Sequence, residues 1–238
     1  MTALLRIVQA TVINSITVYG VFGARWTVAT AIALYWSENI IAIVLIALRF
    51  VLHRAVTHKR GHTRGVLKTF LQTTLIFTIA HGIFLFLILA LLFPNIAPAE
   101  AFDLATFKFG LMLIGGVMVF SFLIDALLVK QMPFMAIRSM TDSFMPRVLV
   151  VHLTIIFGML AMAIFGHPRA LFAVFAALKS GADLLSRAPK DFPEKPPRWF
   201  AWIARSVDDR QKMLETWRQG REAYMARAAD DELPMVPA

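Results

Sequence analysis

The chain of 238 residues is 58% hydrophobic and only 16% charged, which is more apolar material than one water-soluble core of this length can bury. It contains no cysteine, which excludes a disulfide framework and every thiolate metal, haem-attachment or redox site. The formal charge of +9 does not indicate nucleic-acid binding, because the last 53 residues hold 10 basic and 9 acidic side chains and the surplus lies between apolar segments.

Five long apolar stretches can each cross a hydrocarbon core, which requires about 20 helical residues. They comprise residues 3–23, 27–52, 69–93, 107–129 and 147–166. A sixth stretch, residues 168–185, is shorter and contains Lys179 and Asp183, so it is the weakest of the set. We count it as a span, and the sequence then predicts an all-α, polytopic transmembrane helix bundle with six spans.

The charge of the loops predicts their side of the membrane. Two loops are rich in cations, with Arg54, Lys59, Arg60, Arg64 and Lys68 after the second stretch and Lys130, Arg138 and Arg147 after the fourth. The loops on the opposite side hold only Arg25 and Arg169, with the acids Glu100 and Asp103. Because cationic loops resist translocation and six is an even number, we expect both termini in the cytoplasm.

The first cationic loop also contains His53, His58 and His62. This combination of imidazoles and cations could bind an anionic headgroup or a metal. A loop that only fixes the topology is the simpler interpretation.

Hydropathy falls sharply after Leu185. The chain is therefore divided into a six-helix transmembrane domain (1–187), a proline-rich linker (188–197) and a cytoplasmic tail (198–238). Apolar residues at helical spacing predict an amphipathic tail helix from 198 to about Ala229, with this stripe: Trp199, Ile203, Val207, Leu214, Trp217 and Tyr224. Its balanced charge favours docking on the chain's own loops or on a partner over lipid binding.

Ionisable residues inside the predicted spans are costly, at roughly 2.5–3.5 kcal/mol each for Asp, Lys or Arg at a helix centre, so they are candidate functional groups. Counting about 1.5 Å of helix per residue from the cytoplasmic ends of the spans, these residues lie at increasing depths between the cytoplasmic surface and the middle of the bundle. We expect them to face inward and to form one buried polar cluster open to the cytoplasm: Glu38, Asn39, His81, Asp125, His152, Lys179 and Asp183.

The simpler interpretation of these residues is hydrogen-bonded packing between helices. Lys179 and Asp183 are four residues apart on one helix and can neutralise each other. His81 and His152 differ in estimated depth by roughly 10 Å, which is poor for the axial ligands of one haem. A metal site is chemically allowed, but no tight ligand motif joins the residues that would form it: Glu38, His81, His152 and Asp183. No cofactor is expected, and metal and haem are disfavoured alternatives.

Two segments of the chain resemble a family of bacterial integral membrane proteins classed as a domain of unknown function. They are Tyr35-Trp36-Ser37-Glu38-Asn39 and the stretch from Arg147 through His152-Leu153-Thr154-Ile155-Ile156 to Gly158, accompanied by Trp26, Arg49, His81-Gly82, Lys179 and Asp183. The resemblance covers roughly residues 10–187. The family's fourth span often carries a histidine near a Ser-Phe pair, whereas Met118 stands there beside Ser121-Phe122, which argues against a multi-histidine site. The resemblance implies a bacterial inner-membrane protein and names no activity.

Three functions are compatible with these features. A structural or accessory membrane protein is favoured over an enzyme, because it requires the fewest assumptions. Its environment is the lipid bilayer, and its tail helix binds a protein partner or a second copy of the chain. A small proton- or ion-coupled transporter is the alternative suggested by the graded polar path. A membrane-embedded metalloenzyme is the third and least favoured.

Overall fold

The computed structural model describes residues 3–87, 100–142, 150, 153–187 and 207–235, and this part of the chain is all-α. Its eight α-helices are α1 (Ala3–Phe22), α2 (Val28–Thr57), α3 (Val66–Leu87), α4 (Leu104–Leu128), α5 (Phe134–Asp142), α6 (Met159–Phe165), α7 (Pro168–Arg187) and α8 (Val207–Glu232). Short 3-10 helices follow α2 at Arg60–Arg64 and α4 at Val129–Gln131, and a π-helical turn at Thr154–Gly158 precedes α6.

Two of the long helices begin at side chains that accept hydrogen bonds from their first turn. The Thr27 hydroxyl accepts from the N–H of Thr30 at the start of α2, and the Asp103 carboxylate accepts from the N–H groups of Ala105 and Thr106 at the start of α4. These bonds, and above all the one donated by the Thr106 hydroxyl, lower the pKa of Asp103. At the other end of α2, His58 adopts a left-handed conformation with φ of 49° and stops the helix.

Three helices in the described ranges are long and apolar enough to span a membrane, namely Val28–Thr57, Val66–Leu87 and the continuous stretch Leu104–Gln131. The expectation that six helices are this long and apolar is therefore corrected to three within the described residues. In α1, the apolar segment Ile7–Phe22 is shorter than the about 20 helical residues that a full span requires. The fifth predicted span lies partly outside the described residues and holds the π-helical turn and the short apolar helix Ile156–Phe165. In α7, the charges of Arg169, Lys179, Asp183 and Arg187 lower the hydropathy.

Helix α2 is the centre of the bundle, since it contacts α1, α3, α4, α5 and α7. One apolar cluster joins α2 to α1 and α7 around Tyr35, Phe172 and Phe175. A second joins α2 to α1 and α4 around Leu34 and Ile114. Glycine allows the closest approach in this second cluster, because a Cβ at Gly110 would lie 2.5 Å from a methyl carbon of Leu34.

Glu100 links α2 and α7 at the end of the bundle where both helices begin. Its carboxylate accepts a hydrogen bond from the N–H of Val28 at 2.9 Å and pairs with Arg169 at 3.0 Å. Because an anion at a helix N-terminus is stabilised by the unpaired N–H groups there, one side chain connects α2 to the first turn of α7.

The tail contains the helix α8, which the sequence predicts to end near Ala229 and which continues to Glu232. Within the predicted apolar stripe, Leu214, Trp217 and Tyr224 are half-buried. Trp199 and Ile203 lie outside the described residues, and no side-chain exposure is described for Val207. The division into domains at residues 187 and 197 stays a prediction for the same reason.

Candidate functional site

A buried lysine on α7 is shared by two carboxylates from different helices. The Lys179 Nζ lies 3.0 Å from the nearer oxygen of Asp183, one turn further along α7, and 3.1 and 3.3 Å from the two oxygens of Glu38 on α2. Each of the three residues is at least 95% buried. We call Glu38, Lys179 and Asp183 the charged triad.

A polar residue of α1 completes the hydrogen bonding of the triad. Asn14 donates from Nδ2 to Asp183 at 3.2 Å, and its Oδ1 accepts a hydrogen bond from Lys179. The Tyr35 ring, packed edge-on against Phe175, lies 5.5 Å from the ammonium and shields it on one side. The triad therefore ties together α1, α2 and α7 through one cation in an apolar setting.

The charges of the triad do not balance. With all three groups ionised, two carboxylates face one ammonium, and the formal charge is −1. Excess negative charge in an apolar interior is costly, so the triad itself favours a further positive neighbour. Reversible proton or cation binding is the chemistry that this arrangement permits.

A groove between α1 and α7 lies next to the triad and reaches its hydrogen-bond partner Asn14. Its volume is about 590 Å³, and its lining residues are Thr11, Asn14, Ser15, Val18, Tyr19, Phe22, Gly23, Ser180 and Leu184. Asn14 belongs both to this lining and to the hydrogen bonds of Lys179 and Asp183. That the polar cluster opens towards the cytoplasm stays a prediction.

Asp125 forms a separate ion pair with Arg49. The Arg49 Nε lies 2.8 Å from Asp125, both residues are at least 92% buried, and the guanidinium lies 5.2 Å above the Phe122 ring. Arg49 is eleven residues beyond Glu38 on α2, or about 16 Å along the helix. The structure therefore distributes the predicted cluster over at least two sites.

The remaining described candidates lie on α2 and α3. His81 donates from Nδ1 to the carbonyl of Phe77 on its own helix at 2.7 Å, and one turn earlier Trp36 donates to the carbonyl of Thr78 at 3.1 Å. Asn39 is half-buried beside the triad residue Glu38 on α2. His152 lies outside the described residues.

Comparison with known families gives one match. Residues 2–212 fit the family of unknown function DUF6498. The chain belongs to this family. The resemblance seen in the sequence is thereby confirmed, and the match continues past residue 187 into the region expected to lie outside it. No curated protein and no solved structure matches this DUF6498 member.

The structure adds two polar residues that the sequence-based cluster omits. In the sequence, Asn14 is visible only as a polar residue that interrupts an apolar run. Nothing in its spacing indicates that Lys179 is its hydrogen-bond partner. Arg49 lies on the same face of α2 as Glu38 by helical periodicity, which was the available signal for an inward cation. Asp125 alone could have suggested that a buried positive partner was needed.

The sequence places His53 and His62 in one cationic loop, but it does not show that the two rings are hydrogen-bonded to each other at the end of α2. His53 lies 3.0 Å from the carbonyl of Met132 through Nε2 and 2.7 Å from Nε2 of His62 through Nδ1. Since only an N–H can bind a carbonyl, His53 carries its proton on Nε2 and accepts at Nδ1 from His62. The Nδ1 of His62 is then an acceptor, buried and without a hydrogen-bond partner in the described part of the chain.

Burial lowers the pKa of His62 to about 4, with further contributions from His53, Arg54 and Lys59. His62 is therefore neutral at physiological pH. In the described ranges no three histidine, aspartate or glutamate side chains are grouped as metal ligands would be.

Proposed function

We propose that this DUF6498 member is a multi-pass protein of a bacterial inner membrane, with six spans and both termini in the cytoplasm, and that its role is structural or accessory rather than catalytic. The observation that carries the proposal is the pairing of ionisable residues in the bundle. Glu38, Lys179 and Asp183 neutralise one another in part, and Arg49 is paired with Asp125. Ion pairs of this kind hold helices together where lipid supplies no hydrophobic driving force.

The exposed surface of the apolar helices supports a lipid environment. Large hydrophobic side chains on α3 and α4 are at least 60% exposed: Ile76, Ile79, Ile83, Phe86, Met112, Phe120 and Leu127. An apolar surface of this extent in water would be an aggregation hazard, whereas in a bilayer it is the expected exterior.

The charged triad also supports counting α7 as a span. The two charges that lower its hydropathy, Lys179 and Asp183, are buried against Glu38 of α2 and Asn14 of α1. A charge that is paired inside a bundle need not face lipid, so the cost of carrying α7 across the membrane is reduced.

The absence of native cysteine makes the topology directly testable, because each introduced cysteine is the only thiol in the chain. Six spans require an impermeant maleimide to label Phe102→Cys and His167→Cys in intact cells. Thr63→Cys and Gln219→Cys should react only after permeabilisation. With α2, α3 and α4 as the only spans, residues 63, 167 and 219 would all lie on one side, so protection of His167→Cys in intact cells would refute six spans.

A proton- or cation-coupled transporter is the second candidate, and the unbalanced charge of the triad beside the groove favours it. The test is proton flux in vesicles that contain the purified protein and a trapped pH-sensitive dye. Glu38→Gln removes the excess charge, and Asp142→Asn, on the exposed end of α5, is the matched control. Flux in wild type and Asp142→Asn that is lost in Glu38→Gln would replace the accessory role by transport. Equal dye traces for all three proteins and empty vesicles would support the accessory role.

A further inference from the structure

The C-terminal end of α8 lies on the cationic loop that follows α2. The N–H of Arg60 donates to the carbonyl of Leu233 at 2.7 Å, and the N–H of Met235 donates to the carbonyl of His58 at 2.8 Å. Lys59 and Pro234 thus form an isolated antiparallel bridge. This backbone pairing places the three consecutive acids at the end of α8 against the loop.

Each of these acids pairs with at least one cation of the loop or of α5. Arg60 lies 2.6 Å from Asp230, Arg64 pairs with both Asp230 and Asp231, and Lys59 pairs with Glu232. Asp231, which has no exposed surface, also lies 3.5 Å from Arg138. We call Lys59, Arg60, Arg64 and Arg138 the cationic site.

The cationic site has more positive charge than the tail supplies negative charge. Four cations face three carboxylates, and Arg54, Lys68 and Lys130 are exposed on the flanking segments. The site therefore attracts a further anion.

Two features make the contact with α8 exchangeable. Carboxylates at the C-terminal end of a helix are disfavoured by the helix dipole, so α8 does not itself stabilise three acids in its last turn. Arg60 and Asp230 are 40% and 36% exposed as side chains, and water and salt weaken ion pairs with that exposure. Asp231 has no exposed surface, but its partners Arg64 and Arg138 are 34% and 21% exposed as side chains.

We propose that the cationic site binds the phosphate of an anionic phospholipid headgroup, and that the acidic end of α8 occupies the site in competition with the lipid. The inference rests on the proposed cytoplasmic topology of the loop. Under that topology the site directly follows α2 and precedes α3, at the depth of the inner-leaflet headgroups, which carry anionic lipid. Arginine donates two parallel hydrogen bonds to phosphate as it does to carboxylate, so lipid and tail use the same donors.

The test is lipid retention, measured by native mass spectrometry after extraction from bilayers of phosphatidylcholine and phosphatidylglycerol. Asp230→Asn with Glu232→Gln removes two competing acids, and Glu215→Gln with Glu222→Gln on the exposed face of α8 is the matched control. Arg60→Gln with Arg64→Gln removes half of the site, with Arg218→Gln and Arg227→Gln as control. Since each cation near an anionic surface changes binding about fivefold, we expect several-fold more phosphatidylglycerol on the first variant and at least fivefold less on the second.

A disulfide tests the competition without removing the acids. Residues 59 and 234 face each other in a non-hydrogen-bonded antiparallel pair, a geometry that suits a disulfide, so Lys59→Cys with Pro234→Cys can lock the tail in place. The oxidised protein should retain several-fold less phosphatidylglycerol than the reduced protein. Equal retention in both forms, or equal retention by the acid-neutralised variant and its control, would overturn the proposal.

A final arm separates lipid from free phosphate. In phosphatidylcholine-only bilayers, the rate of disulfide formation between residues 59 and 234 is compared in phosphate and chloride buffers of equal ionic strength. We expect equal rates there and a slower rate when phosphatidylglycerol is added. Slowing by free phosphate and none by phosphatidylglycerol would refute the lipid as the ligand. Labelling at residue 63 from outside would instead refute the topology, which keeps the two failures distinguishable.

Discussion

Replacing Lys179 with methionine removes the only cation of the charged triad and keeps most of the volume of the side chain. Glu38 and Asp183 would then remain buried beside each other, after losing ion-pair contacts of 3.1 and 3.0 Å. Breaking a buried ion pair by removing one partner costs about 3–5 kcal/mol. At roughly 2–4 °C per kcal/mol for a chain of this size, Lys179→Met should melt about 6–20 °C below wild type in detergent.

The companion substitution Glu38→Gln should behave differently. It leaves Lys179 paired with Asp183 and makes the triad neutral, so we expect a change within about 1 kcal/mol of wild type. The triple variant Glu38→Gln, Lys179→Met, Asp183→Asn has no charge left and should recover most of the stability lost in Lys179→Met. Lys212→Met, on an exposed position of α8, controls for loss of one lysine.

The assay is the loss of the monodisperse peak in size-exclusion chromatography after heating, followed for all variants in one detergent. A melting temperature of Lys179→Met within about 2 °C of wild type would refute the reasoning, since it would mean that no buried charge was left unpaired. A cost of Glu38→Gln equal to that of Lys179→Met would also refute it, because then hydrogen bonding and not charge balance would hold the site together.

Three further predictions concern other parts of the fold. Lowering the pH from 6.5 to about 4 should cost roughly 1–3 kcal/mol of stability, because His62 stays neutral in the native protein while the same residue in the unfolded chain takes up a proton. The free energy of unfolding, measured by denaturation at a series of pH values, should depend less on pH in His62→Phe than in wild type. Gly61→Ala should destabilise the loop by about 1–3 kcal/mol, since the new Cβ would lie 2.4 Å from a ring carbon of the buried Phe134, and an unchanged melting temperature would contradict that packing. Glu100→Gln should cost about 1–2 kcal/mol through the cap of α2 and the Arg169 pair, and Arg169→Gln measured alongside shows whether the two losses are coupled.

The apolar helices followed directly from the sequence. The α2 and α4 stretches were located to within a few residues, because a run of apolar side chains of that length has few alternatives to a buried or lipid-facing helix. The α8 helix and the Lys179–Asp183 contact were also readable, since helical periodicity and the i, i+4 spacing are local properties. Membership of DUF6498 rests on the sequence as well.

Which helices are neighbours was decided only by the tertiary structure. Periodicity shows that Glu38 and Arg49 share one face of α2, but it does not show that Glu38 meets Lys179 of α7 while Arg49 meets Asp125 of α4. The expectation of one cluster failed to separate these pairs because depth along a helix was estimated without the order of helices around α2. Asn14 was missed for the same reason, since a single amide in an apolar helix gains its meaning only from the partner that packing brings to it.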